Sequence, residues 1–149
     1  MNGLAREGVA LDAVYRPFLT DDFGRDPPTV LVVSADRPVR GDLERGLRAE
    51  GFVVWVAANG AEAVALCRSL RGRIDMALAD ARMPGMDGPE TMDALRAIAP
   101  AVGCCFVTSE PHLSALTQLF MRGAMYVFVK PFSVATVAAK MSILSRLKP

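Results

Sequence analysis

The sequence predicts an α/β fold, a five-stranded parallel sheet with helices on both faces, and three observations predict it. Five short apolar runs recur along the chain: VLVV (30–33), FVVWV (52–56), MALA (76–79), CCFV (104–107) and YVFV (126–129). Each is too short for a helix, and all but MALA carry Val or aromatics, as buried parallel strands do. Between them, apolar residues recur at steps of three and four, the spacing of a helix's buried stripe. Strands that alternate with helices of this length imply a parallel sheet, because a parallel neighbour is reached only through a crossover.

Taken in order, the first strand leads to a stripe of Val39, Leu43 and Leu47, and Gly51 ends that helix and opens the second strand. The second stripe is Val64, Cys67 and Leu70; the third is Met92, Leu95 and Ile98. Leu113, Leu116 and Phe120 make the fourth, and Val134, Val137, Met141 and Leu144 the last. Residues 1–28 differ, with scattered apolar positions, a short helix expected over 4–15, and a linker, TDDFGRDPP, at the end. Asp21 and Asp22 in that linker read as solvated charges, since no buried strand delivers them.

Composition narrows the function. With 149 residues the chain is one domain by length, large enough for a real core. Seventeen basic against 16 acidic side chains leave no field to hold nucleic acid or an anionic membrane. No apolar run approaches a membrane span and the N-terminus lacks a leader pattern, so the expectation is a cytoplasmic protein. Cys67, Cys104 and Cys105 lack zinc-site spacing and read as buried residues, and His112, at a helix start, reads as a surface residue.

In an open parallel sheet the functional crevice lies beyond the carboxyl ends of the strands. The residues there are Ser34, Ala35 and Asp36, then Asp80, then Thr108 and Ser109, then Lys130 and Pro131. A carboxylate, a hydroxyl and an ammonium thus converge on one rim. An ionised carboxylate attacks phosphorus without a base, a hydroxyl donates to a phosphoryl oxygen, and an ammonium neutralises it. No glycine-rich phosphate loop follows the first strand, which disfavours a nucleotide-dependent enzyme.

The segments ALADARMPGMDG (77–88), FVTSE (106–110) and GAMYVFVKPF (123–132), with DRPVRGDLERGLRAEGF and AANGAEAVAL before them, resemble the receiver domain of two-component response regulators. The resemblance covers roughly residues 28–147. It implies the flavodoxin-like (βα)5 sheet of order 2-1-3-4-5, with the receiver domain at 29–149 and an N-terminal extension at 1–28. It implies Asp80 as phospho-acceptor, Thr108 as switch hydroxyl, and Lys130, joined to Pro131 by a cis bond, as the lysine that pairs with the phosphoryl group. It implies Ser109 as the small residue that leaves the phosphoryl group accessible. Arg82 and Glu110 hold the two positions that tune its lifetime, and their opposite charges are placed to pair across the rim.

The sequence departs from the family at two places. Receivers put adjacent acids after the first strand and bind Mg²⁺ with them and the acceptor; here Ser34 and Ala35 hold those positions, and Asp36 matches the next. No metal ligand is assigned: Asp80 and Asp36 are weak candidates, Mg²⁺ binding is expected to be weakened, and Lys130 is left as the main electrostatic partner of Asp80. Second, the switch aromatic three residues before the lysine is Val127, with Tyr126 and Phe128 expected on the opposite side of the strand.

The resemblance implies a single-domain receiver in a phosphorelay, with no separate enzymatic activity. Its partners would be a sensor histidine kinase or phosphotransfer protein and a downstream protein meeting the fourth helix, fifth strand and fifth helix; a homodimer is compatible. The alternative is a degenerate receiver, an interaction module independent of phosphorylation. The expectation is that no output domain follows SRLKP and that output runs through partners.

Overall fold

The computed structural model describes residues 26–147. The expected helix over 4–15 and the acids Asp21 and Asp22 lie outside them. Strands β1 (Thr29–Val33), β2 (Val53–Ala57), β3 (Met76–Asp80), β4 (Gly103–Thr108) and β5 (Tyr126–Val129) alternate with five helices. These are α1 (Arg37–Ala49), α2 (Gly60–Ser69), α3 (Gly88–Ile98), α4 (Leu113–Met121) and α5 (Val134–Leu147). All strands are parallel, in the order β2-β1-β3-β4-β5. The expected (βα)5 sheet is therefore the observed one.

Alternation along each strand builds two cores. Val30, Val32, Met76, Leu78, Cys105, Val107 and Phe128 face α1 and α5, whose Leu43, Leu47, Val137 and Met141 cover them. Leu31, Val33, Ala77, Ala79, Cys104, Phe106 and Val127 face the other way, onto α2, α3 and Leu119 of α4. Helix starts are set by side chains that accept from free amide groups: Asp36 for α1, Asn59 for α2, and Asp87 with Glu90, a reciprocal capping pair, for α3. Gly51 closes α1 with φ of 102°, a backbone state that favours glycine.

Strand β2 begins one residue later than its apolar run suggests. The Phe52 amide donates to Leu47 O at 3.1 Å, so Phe52 belongs to the turn that ends α1. A larger correction concerns α4. Of the stripe of Leu113, Leu116 and Phe120, Leu116 packs partly buried against the core, but Leu113 is 80% and Phe120 47% exposed, and the buried residue is Leu119, 7% exposed. Apolar residues run round most of this nine-residue helix, so steps of three and four do not define one face. Packing against Val127 and its neighbours selects Leu119.

Candidate functional site

The site is assembled by strand register. Val33 pairs with Ala79 across β1 and β3, so the next residues, Ser34 and Asp80, emerge side by side. Ser34 Oγ donates to Asp80 Oδ2 at 2.8 Å. Both are buried, with Ser34 1% and Asp80 9% exposed. A hydrogen bond to a charged acceptor contributes about 1.5–3 kcal/mol, and its loss would leave a carboxylate short of a partner in a site with little water. Ser34 is itself fixed: its amide donates to Ala57 O at 3.1 Å, its carbonyl accepts from Arg40 Nη1 at 2.7 Å, and its hydroxyl oxygen accepts from Asp36 N at 3.2 Å. The other carboxylate oxygen, Asp80 Oδ1, has no hydrogen-bond partner among the described residues.

Thr108 ends β4, 5% exposed, and its Oγ1 accepts from Glu110 N at 3.0 Å, which leaves its hydroxyl proton available to donate. Lys130 follows β5, its amide held by Thr108 O at 2.8 Å, and the Lys130–Pro131 bond is cis. Asp80, Thr108 and Lys130 therefore come from the tips of three neighbouring strands. Among the described residues no ion pair joins Asp80 to Lys130, and the direct contact of Asp80 is with Ser34. Ser34 sits on the adjacent strand, whereas Lys130 lies two strands away across β4, at roughly twice the 4.8 Å strand spacing.

The rim carries the remaining candidates. Arg82 and Glu110 make a two-point ion pair, Nη2 to Oε2 at 2.9 Å and Nε to Oε1 at 3.3 Å. Ser109, Lys130, Pro131 and Phe132, with Val39 and Asp42 of α1, line a cleft of about 480 Å³. Asp36 does not turn toward Asp80: its Oδ1 accepts from Val39 N at 3.1 Å as the N-cap of α1, and Ala35 is exposed. Val127 packs with Phe106 and Leu119, while Tyr126 and Phe128 face the other core with ring centroids 4.8 Å apart. The loop behind Asp80 passes Gly85 at φ 77° and closes at Gly88, where a Cβ would lie 2.4 Å from Asp80 O. The cysteines are buried and form no disulfide; burial raises Cys67, and burial with Cys104 beside it pushes Cys105 up to about 12, so neither is a ready nucleophile.

The family model for the response regulator receiver domain matches residues 30–142. The chain belongs to this family. The receiver is 38% identical over 125 residues to the transcriptional regulatory protein PrrA of Mycobacterium tuberculosis, a match covering 84% of this chain and 53% of PrrA. It is 34% identical over 111 residues to the sensor kinase CckA of Brucella abortus, covering 74% of this chain and 12% of CckA. The chain spans about half the length of PrrA. Among solved structures, CheY4 of Vibrio cholerae superposes with TM-score 0.71 at 27% identity, covering 78% of this chain and 98% of CheY4. A chain of the CheX-CheY-BeF3-Mg²⁺ complex from Borrelia burgdorferi gives TM-score 0.74 at 25% identity, covering 86% and 97%.

Receiver domains are signalling modules rather than separate enzymes, and they normally bind Mg²⁺ in this site. The donors present in this receiver do not fit a preformed cation cage. Among the described residues Asp80 is the one carboxylate that ends a strand, its Oδ2 is taken by Ser34, and Asp36 is turned to the α1 backbone. No cluster of three His, Cys, Asp or Glu able to hold a metal occurs among the described residues. Sequence reasoning missed Ser34 as a direct partner of Asp80, and it missed Arg40. The signal for Ser34 was present: the order 2-1-3 makes first and third strand tips neighbours. Among the described residues no helix is long and apolar enough to cross a membrane.

Proposed function

We propose that this receiver, residues 29–149, accepts a phosphoryl group on Asp80 from a histidine kinase or phosphotransfer protein and signals through protein contacts on the α4, β5, α5 face. The observation that supports it is the set at three strand tips: a nearly dehydrated carboxylate with one unbonded oxygen, a hydroxyl with its proton free, and an ammonium. Asp80 Oδ1 attacks phosphorus in line while the bond to the donor breaks and its electron pair leaves with the donor. Thr108 turns its hydroxyl to a phosphoryl oxygen, and Lys130 neutralises the added charge. Arg82 and Glu110 cover the rim and set how readily water reaches the acyl phosphate.

A second reading, an interaction module independent of phosphorylation, is favoured by the Ser34 to Asp80 bond and by Val127 in place of a switch aromatic. Incubation with acetyl phosphate and intact-mass analysis separates the two. A phosphoryl adduct that is absent in Asp80→Asn upholds the first reading. No adduct, from acetyl phosphate or from any histidine kinase of the source organism, establishes the second.

A further inference from the structure

We propose that this acceptor site works without a divalent cation, with Ser34 as the positioning residue of Asp80 and with Arg40 and Lys130 supplying the positive charge. The proposal rests on the reading of Asp80 as the acceptor. A cation in such a site does two things: it fixes the acceptor carboxylate, and it offsets the charge of neighbouring acids and of the incoming phosphoryl oxygens.

Both tasks have other holders here. The Ser34 hydroxyl fixes Asp80 through Oδ2 at 2.8 Å, from a side chain 1% exposed and anchored through its amide, carbonyl and oxygen. The repulsion that a cation would offset is absent, because Ser34 and Ala35 are neutral and Asp36 faces the α1 amide groups. Arg40 Nη1 lies 2.7 Å from Ser34 O, which puts a permanent positive charge on the tip of β1, while Lys130 stands at the tip of β5. The two cations thus flank Asp80, one strand away on one side and two strands away on the other. One of Arg40's five N–H groups makes the bond to Ser34 O, so others remain for phosphoryl oxygens. In transfer from acetyl phosphate, a bond forms from Asp80 Oδ1 to phosphorus as the bond from phosphorus to the acetyl oxygen breaks. Acetate leaves with the electron pair, and no proton has to move.

The test compares adduct formation from acetyl phosphate in EDTA and in excess MgCl₂, beside an NMR titration of the Ser34, Asp80 and Ala81 amides with MgCl₂. Rates in the two buffers should agree within about threefold, with no saturable shift in the titration. Ser34→Asp, which puts a second carboxylate beside Asp80, should gain saturable Mg²⁺ shifts and a Mg²⁺-dependent rate. Ser34→Ala and Arg40→Gln should each slow the EDTA reaction about tenfold and stay indifferent to Mg²⁺; they keep the proposal testable if Ser34→Asp does not fold. A wild-type rate that needs Mg²⁺, or saturable wild-type shifts at Asp80, overturns the proposal. No adduct in either buffer, and none from a histidine kinase, overturns the acceptor reading instead, and the titration alone then decides whether the site takes the cation.

Discussion

Replacing Gly88 by alanine tests how tightly α3 is seated on the strand that carries Asp80. A Cβ on residue 88 would meet Asp80 O at 2.4 Å, Ala81 Cα at 2.9 Å and Ala81 O at 3.1 Å. All three are backbone atoms, so no side chain can swing away. To reach ordinary contact the start of α3 must move by about 1 Å, which also breaks or stretches the 3.0 Å bond from Gly88 N to Ala81 O. Overpacking of this kind costs about 1–3 kcal/mol, and the strained bond adds about 1 kcal/mol. Alanine's better helix propensity returns less than about 1 kcal/mol at a first-turn position, so the net loss is about 1–4 kcal/mol. Urea unfolding followed by the fluorescence of Trp55, the single tryptophan, reads it as a lowered midpoint at unchanged slope. Gly85→Ala is the control: its site is open and only the positive φ is strained, so it should cost about 1 kcal/mol. Gly88→Ala as stable as the parent, or less damaging than Gly85→Ala, would refute the argument.

Further outcomes follow from the same geometry. Leu119→Ala should cost about 2–4 kcal/mol and Phe120→Ala less than about 1 kcal/mol in the same unfolding assay, since the first leaves a cavity and the second trims an exposed ring. Asp36→Ala should cost about 1 kcal/mol through loss of the α1 cap and leave the response of the Asp80 amide to MgCl₂ unchanged. The Cys105 thiol, held near 12 in the fold against 9.0 when free, keeps its proton where the unfolded chain loses it. Between those values the unfolded state binds fewer protons, so stability falls as pH rises above 9, by at most about 1.4 kcal/mol per pH unit from this group, and is unaffected near neutrality. Urea midpoints measured at increasing alkaline pH should show this slope, and Cys105→Val should reduce it.

Periodicity made most of the fold legible. The runs at 30–33, 76–79, 104–107 and 126–129 became strands because short apolar runs buried on both faces suit nothing else of that length. The rim residues could then be named from their positions after each run. Helix α4 was misread because its apolar residues point in too many directions for spacing to choose among them. The Asp80 to Ser34 bond joins residues 46 apart in sequence, and no local pattern reports such a contact.

By itself the sequence determined the order of strands and helices, the five tips, and the carboxylate, hydroxyl and ammonium that three of them deliver. These are matters of residue type and spacing along the chain, which local sterics and burial convert directly into elements. Only the tertiary structure decided that Ser34 is a hydrogen-bond donor to Asp80 rather than a mere loss of an acid, that Asp36 caps α1, and that Arg40 reaches the β1 tip. Those outcomes turn on which of several short polar side chains lies within about 3 Å of which oxygen, a distance fixed by sheet register and helix placement together.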